Sequence, residues 1–561
     1  MLEDRDFEDP DAYQGEEEYQ PWYKAETSTP PPFQLVRKIT LDDDKAPSFQ
    51  TVAMFPWDVD SLSELWKGNL ATTENLEQWK HVISEYWDTV AVGSEHTLYI
   101  FFTNQKRAPL VIKLLQDSQK LISADRTCVA WGMTHDSLQP LVIFSRGSLV
   151  FIYNIVMGLS GYLRGHGGAI TSISVHPTQP NLFCTTSRDF TTRIYDLLLS
   201  ASLTGDDEEP IKTKKSKAGS VPNPHWPPGK HPSLAGAAHG LRLPASEPEG
   251  RGRGRCIVVL MGGRSAGHQA AVLGAAFHPE HPIIATCGMD RTVKIWPVRP
   301  TSMQQIKRED KPLFSSGMLH KSRVLSVAWL QHDLLLTHSA PAIMRVSPDS
   351  KKDKETYLEA GELIIWRWLS VDRFFPTGYE DNPDSLRGLR GCSSDYQESS
   401  SFKLLSIHAF PAKPTQYIAP NLSLFQTPIH DPLIVYVYPG EYSICMLNAA
   451  NMSPRKKPPF PSVAAKLLGN PEDANGAALA DAAGRLHLTR EEEGGEEEEE
   501  EEGPIILRRP TVVPPGIDCW TIDINDEDPA KTLTSCAMGM GGRVVVGVGS
   551  KGTLWVWRYD D

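Results

Sequence analysis

The stretch ATCGMDRTVKIWPV, residues 285–298, sets an acid in a tight turn between two apolar runs and an indole six residues further on, at Asp290 and Trp296. The same layout stands upstream in CTTSRDFTTRIYD, residues 184–196, where Asp189 is followed six residues later by Tyr195. A recurring unit decides an architecture before any local reading does, because each copy must bury its faces against the next. Two further landmarks fall into register. His166 lies 23 residues before Asp189 and His268 lies 22 before Asp290, each preceded by a glycine, and His-Pro pairs follow at His176–Pro177 and His278–Pro279.

These spacings match a four-stranded antiparallel blade, which cannot bury both faces alone and stacks radially with others around a channel. The Asp in the turn between second and third strands accepts backbone N–H bonds and holds the histidine of the entering loop. That histidine in turn reaches a strand hydroxyl and the aromatic group ending the third strand. Ser187 and Thr286 are the expected hydroxyls. His166, Ser187, Asp189, Tyr195, His268, Thr286, Asp290 and Trp296 are therefore read as residues that hold blades together, not as acid–base pairs.

Working outward, strand-like runs place further blades. FQLVRKITL (33–41), FQTVAMFPW (49–57), DTVAVGS (88–94) and TLYIFF (97–102) suit a first blade, with an insertion near 58–86. Leu and Trp at mixed three- and four-residue spacing over 60–87 predict a helix pair that covers a blade. TCVAWG (127–132), PLVIFSRG (140–147) and SLVFIYNI (148–155) suit a second, and the two copies above a third and fourth. A fifth runs from 320 to 368, a sixth spans about 402–448, and RVVVGVGS with TLWVWRY ends the chain. The expectation is an all-β, seven-bladed propeller over 33–561, carrying insertions at about 58–86, 202–254, 341–361, 376–401 and 450–516, behind an acidic tail at 1–32.

Charge supports that division. The formal net charge is −14, but residues 1–20 carry nine acids and one base, and 491–502 carry ten glutamates, which leaves +4 for the rest. Such blocks read as solvated, disordered tails. Residues 202–254 hold eight Pro and eight Gly among 53 and read as a linker. The basic patches KTKKSK (212–217), RGRGR (251–255) and PRKKPP (454–459) fall in the expected linkers and suggest nuclear import or weak nucleosome contact. Eight scattered cysteines form no C-x-x-C pair and read as buried thiols. No stretch approaches the ~18 apolar residues of a membrane span, so a soluble, intracellular protein is expected. No G-x-S-x-G, Gly-Lys-Ser/Thr or H-E-x-x-H signature points to an enzyme, and no cofactor or metal is expected.

LRGHGGAITSISVHPTQPNLFCTTSRDFTTRIYDL (163–197) followed by CGMDRTVKIWPV (287–298) resembles the embryonic ectoderm development/extra sex combs family, the WD-repeat subunit of Polycomb repressive complex 2. The segments from 33 to 57, TCVAWG, SRGSLVFIYN and HKSRVLSVAWLQHDLLL are similar to the family's neighbouring blades. The resemblance implies a WD-repeat propeller in the nucleus, acting as a non-catalytic scaffold for gene repression. Its implied partners are the SET-domain histone methyltransferase subunit, other Polycomb complex subunits and the histone H3 tail. It also implies a trimethyl-lysine cage, whose positions fall on Thr89, Thr127, Phe402 and Lys403. One aromatic in four cannot supply the stacked ring faces that hold a quaternary ammonium, so a degenerate cage is expected. Tyr86, Trp87 and Trp131 are alternative aromatic walls or core residues. The competing expectation is a generic WD-repeat adaptor such as a ubiquitin-ligase substrate receptor, since fold alone does not fix function.

Overall fold

The computed structural model describes residues 21–41, 46–70, 72–95, 97–105, 107–113, 126–201, 250–263, 266–299, 306–345, 356–376, 378, 397–411, 418–427, 430–454 and 515–559. The described strands group into seven four-stranded antiparallel blades, of which blades 2 and 3 run together as one continuous sheet. Blade 1 takes Phe49–Met54, Thr89–Ser94, Thr97–Phe102 and Leu110–Lys113; blade 2 takes Val129–Met133, Pro140–Arg146, Leu149–Asn154 and Gly158–Leu163. Blade 3 comprises Ile170–Val175, Leu182–Ser187, Thr192–Ser200 and Gly250–Leu260, and blade 4 Val272–Phe277, Ile283–Gly288, Val293–Pro297 and Phe314–Ser316. Blade 5 is Val324–Trp329, Leu334–Ser339, Glu362–Trp368 and Phe402–Ala409; blade 6 is Asn421–Thr427, His430–Val437, Ser443–Asn448 and Trp520–Asp523. Blade 7 joins Leu533–Gly539, Val544–Gly549 and Thr553–Arg558 to Gln34–Thr40 from the other end of the chain.

That last pairing corrects the sequence reading, which assigned 33–41 to blade 1. The run is an alternating edge strand, and its local pattern does not say which sheet it edges. Among the described residues three strands of blade 7 come from 533–558, and Gln34–Thr40 pairs antiparallel with Thr553–Arg558 as the fourth. Arg37 then reaches past blade 7: its Nη1 donates to the carbonyls of Phe102, Thr103 and Gln105 at 3.1, 2.8 and 2.9 Å, tying the closure strand to blade 1.

Seven apolar clusters lie at the seven blade junctions. Strand alternation builds them. In Thr97–Phe102, Leu98, Ile100 and Phe102 face blade 2, while Tyr99 and Phe101 face blade 7. Strands buried on both faces read as continuous apolar runs, which is why TLYIFF and TVAVGS carry almost no polar residue.

The expected insertion at 58–86 folds onto the propeller. It contains the helix Thr73–Tyr86, whose buried Trp79, Ile83 and Tyr86 join Leu62 and Leu65 in the blade 1–2 cluster. Trp66 extends the cover to blade 3, its Nε1 donating to Asn181 Oδ1 at 2.8 Å. The region 341–361 contains a hairpin, Ala342–Arg345 with Thr356–Glu359. Residues 1–20, 202–249, 379–396 and 455–514 lie outside the described residues. The patch KTKKSK, residues 455–459 of PRKKPP and the glutamate run lie there too.

RGRGR requires a second correction. It is the first half of the fourth strand of blade 3, not part of a linker, and Gly250–Gly252 pair with Gly161–Leu163 of blade 2. Two sheets thus share one strand. Gly252, at φ 78°, brings its Cα so close to blade 2 that a Cβ would sit 2.3 Å from the Ser160 carbonyl oxygen. Seven of the cysteines are described, all as free thiols, five of them buried. No described helix is long and apolar enough to cross a membrane.

The closure strand yields a prediction. Removing residues 1–41 should lower the apparent melting temperature by about 10 °C, and Arg37→Ala alone should cost about 1–2 kcal/mol. Removing only 1–20 should leave melting unchanged. Calorimetry of the three variants checks this, and equal melting of all three would exclude the closure.

Candidate functional site

Antiparallel connection gives the ring two rims. First strands begin, second strands end and third strands begin on one, called upper here; the lower rim holds the opposite ends.

On the upper rim, blades 3 and 4 repeat one network. His166 Nδ1 lies 3.0 Å from Asp189 Oδ2 and its Nε2 2.7 Å from Thr185 Oγ1. In blade 4, His268 Nδ1 lies 3.0 Å from Asp290 Oδ2, its Nε2 2.8 Å from Thr286 Oγ1, and Trp296 Nε1 donates to the same hydroxyl at 2.9 Å. Backbone N–H groups of Gly167 and Gln269 donate to the two carboxylates at 2.7 and 2.9 Å. Burial by itself pushes both carboxyls up, but the adjacent histidine and these donors outweigh it and hold both acids well below the usual carboxylate range.

The hydroxyl expected at Ser187 belongs instead to Thr185. Both side chains project on one face of the strand two residues apart, so alternation does not separate them. Reach does: Ser187 Oγ donates to the Gly168 carbonyl at 2.9 Å, nearer the turn, while Thr185 meets the ring. Tyr195 stacks on Phe183 at 4.9 Å and belongs to the core between blades 2 and 3. Gly288 occupies the position of Ser187 in blade 4. A Cβ there would lie 2.7 Å from the Ala271 oxygen and 3.2 Å from His268 Nδ1, which explains the glycine of Cys-Gly-Met-Asp. A partial third copy escaped the sequence reading. In blade 5, His320 Nε2 meets Thr337 Oγ1 at 2.8 Å, but a glutamate from another strand, Glu362, stands 3.9 Å from Nδ1 in place of the turn aspartate. The His-to-Thr spacing of 17 residues, against 19 and 18, was the available signal.

The four cage positions do not converge. Thr89 begins a second strand on the lower rim, fully buried opposite Phe102. Thr127 lies on the upper rim, its hydroxyl donating to the Ser94 carbonyl at 2.9 Å. Thr89 and Ser94 are the two ends of the same strand. Phe402 and Lys403 start a blade 5 strand on the lower rim, opposite Trp368 and Arg367. Phe402 packs edge-on against Phe314 and Trp366 at 6.2 Å. Tyr86 and Trp131 are core residues of the blade 1–2 cluster, and Trp87 lies beneath Arg558 at 5.4 Å.

Beside Thr127 stands a cation that the sequence did not single out. Arg126 donates from Nη2 to the Gln50 carbonyl of blade 1 at 2.9 Å and from Nη1 to Asn421 Oδ1 of blade 6 at 3.0 Å. It bridges blades 295 residues apart in sequence, a contact no local pattern reveals.

Seven radial blades with the His–Asp–Thr network in two of them define a WD-repeat β-propeller, and the family described as WD domain, G-beta repeat matches residues 158–196 and 254–297. Within that class the chain is similar to Polycomb group proteins. It is 24% identical over 217 residues to Polycomb group protein FIE1 of Zea mays and 24% over 221 residues to FIE2 of the same plant, each alignment covering 38% of this chain. It spans 34% and 42% of those relatives' lengths. A chain of the solved Chaetomium thermophilum Polycomb Repressive Complex 2 shares the fold, with a TM-score of 0.52 at 16% identity over 94% of this chain and 98% of that one.

Two predictions follow from the networks. Thr286→Val leaves a buried ring nitrogen and an indole N–H unpaired and should cost about 2–3 kcal/mol, whereas Ser187→Ala should cost about 1. Urea titrations of both variants check the order. The buried rings of His176, His278, His320 and His338 are held neutral by desolvation, with pKa values lowered to about 4, 3, 3 and 4. The unfolded rings take up protons near ~6.5. Stability is therefore complete above that value and declines as pH falls toward the folded pKa values, by about 1.4 kcal/mol per pH unit for each histidine. The urea midpoint should drop clearly between pH 7.5 and 5; an unchanged midpoint would show that these rings are not buried neutral.

Proposed function

We propose that this chain is the non-catalytic scaffold of a nuclear Polycomb histone H3 lysine methyltransferase complex, holding the SET-domain catalytic subunit on the propeller. The observation that carries the reading is the joined blade 3–4 motif, His166 through Cys-Gly-Met-Asp290, together with the Polycomb group relatives that align with the chain. The fold likeness to a chain of the Chaetomium complex over nearly the whole length agrees with it. Scaffolding also suits the chemistry present, because the described histidine–carboxylate pairs of blades 3 and 4 are buried structural links.

The trimethyl-lysine function is degenerate in this reading. Thr127 stands on the rim opposite to Thr89, Phe402 and Lys403, and the Arg126 guanidinium beside it repels a quaternary ammonium. Propeller architecture can hold a partner without a cage, since rim loops and sheets are independent of any one pocket.

Affinity purification of the full chain from its own cells is expected to bring down a SET-domain methyltransferase in stoichiometric amount. Recovery of a cullin adaptor without any methyltransferase would replace this reading with that of a ubiquitin-ligase receptor. Calorimetry with a trimethylated H3 peptide should give no heat beyond the unmethylated control, and micromolar binding specific to the methylated peptide would overturn the degenerate cage.

A further inference from the structure

The loop between the first and second strands of blade 4 reads His278-Pro279-Glu280-His281-Pro282, and its counterpart in blade 3 reads His176-Pro177-Thr178-Gln179-Pro180. The two serve as an internal comparison. In both, the first histidine does the same structural task. His176 Nδ1 accepts from the N–H groups of Thr178 and Gln179 at 3.3 and 3.2 Å, and His278 Nδ1 accepts from those of Glu280 and His281 at 3.0 and 2.9 Å. The blade therefore needs the His-Pro turn. It does not need Glu280 and His281, whose places are filled by Thr178 and Gln179 one blade earlier.

Those two residues meet a third from the next blade. His332, in the loop Gln331–Asp333 of blade 5, places Nδ1 3.1 Å from His281 Nε2 and 3.4 Å from Glu280 Oε2. In a tetrahedral zinc site with Zn–N bonds of about 2.0–2.1 Å, two imidazole nitrogens stand about 3.3 Å apart. His332 Nδ1 thus already stands at nearly the spacing a metal would impose from His281 Nε2 and from Glu280 Oε2, and the exposed Glu280 carboxylate is free to swing toward His281. The rings of His278, His281 and His332 have donor nitrogens within 4.8 Å of one another, but His278 is not a ligand. Its Nδ1 is taken by the turn, and its Nε2 donates to the His332 carbonyl at 2.8 Å, which fixes the loop that presents His332.

The surroundings orient the other two rings. Phe375 stacks on His281 at 4.5 Å with an interplanar angle of 8°. Asp372 lies 3.9 Å from His332 Nε2, the place of the carboxylate that receives the second N–H of a metal-bound imidazole. His332 and Glu280 are 44% and 66% exposed, so an ion and a bound water can enter from solvent.

We propose that Glu280, His281 and His332 form a site for a divalent transition metal of the Zn²⁺ type, which clips blade 4 to blade 5 on the lower rim. Binding replaces the proton held between His281 Nε2 and His332 Nδ1. That proton moves to the other nitrogen of its ring or to solvent, and both lone pairs turn to the metal. The donor set of two imidazoles, one carboxylate and water suits zinc over magnesium or calcium, which prefer all-oxygen shells. The inference is independent of the Polycomb reading.

The test uses the full chain, stripped with chelator and titrated with ZnCl₂ by calorimetry, in parallel with thermal melting. One equivalent of Zn²⁺ should bind and raise the melting temperature, and MgCl₂ should do neither. His332→Ala should abolish both effects, each read against that variant's own metal-free melt. Asp372→Asn should weaken binding by about tenfold. Absence of binding at 0.1 mM Zn²⁺ (a level of about 10⁻⁴ M, far weaker than structural zinc sites) would overturn the proposal. Equal binding by the wild type and His332→Ala would do so as well, because the ion would then sit elsewhere.

Discussion

The rest of the molecule depends on one constraint, closure of a ring of sheets that are each buried on both faces. Every blade contributes one face to each of two junction clusters, so an open ring would leave two apolar faces in water. The chain meets this constraint with its two ends. Gln34–Thr40 completes blade 7 against Thr553–Arg558, and Arg37 carries the link across to the end of the third strand of blade 1. Closure by distant segments is a long-range contact, whose loop-closure cost slows folding. Among the described insertion residues, those of 58–86 fold back to cover the blade 1–2 junction, and Met452 packs at the blade 5–6 junction.

Much of this was legible in the sequence, for a physical reason. Strands buried on both faces are written as apolar runs, and turns between them as Asp, Gly and His-Pro, so blades 2, 3 and 4 read directly from composition and spacing. Closure was not legible, because an edge strand such as 33–41 carries the same alternation whichever sheet it joins. RGRGR misled for the opposite reason. Glycine and arginine are typical of linkers, yet here glycine is required where two backbones meet at Ser160 and Gly252, and arginine contacts Thr134 at 3.0 Å. The Ser187 assignment failed on a shift of two residues along a strand, which alternation cannot see.

The candidate site shows the same limit more sharply. The structural networks at His166 and His268 could be placed from residue types, since each is local to a blade. Cage geometry could not, because a cage is made by residues from different blades meeting at one rim. Thr89 begins the strand Thr89–Ser94, whereas Thr127 bonds to the carbonyl at that strand's opposite end. Arg126 and the His281–His332 contact share this property: both join separate blades, and neither has a local signature.

The central claim is that a closed WD-repeat ring of this chain supports a Polycomb methyltransferase. It is tested most directly by histone H3 lysine methylation in cells lacking the chain. The account predicts that the methyl mark falls on loss of the chain and returns with the wild type, while a form lacking residues 1–41, unable to close, does not restore it. Unchanged methylation in the deletion strain would contradict the account.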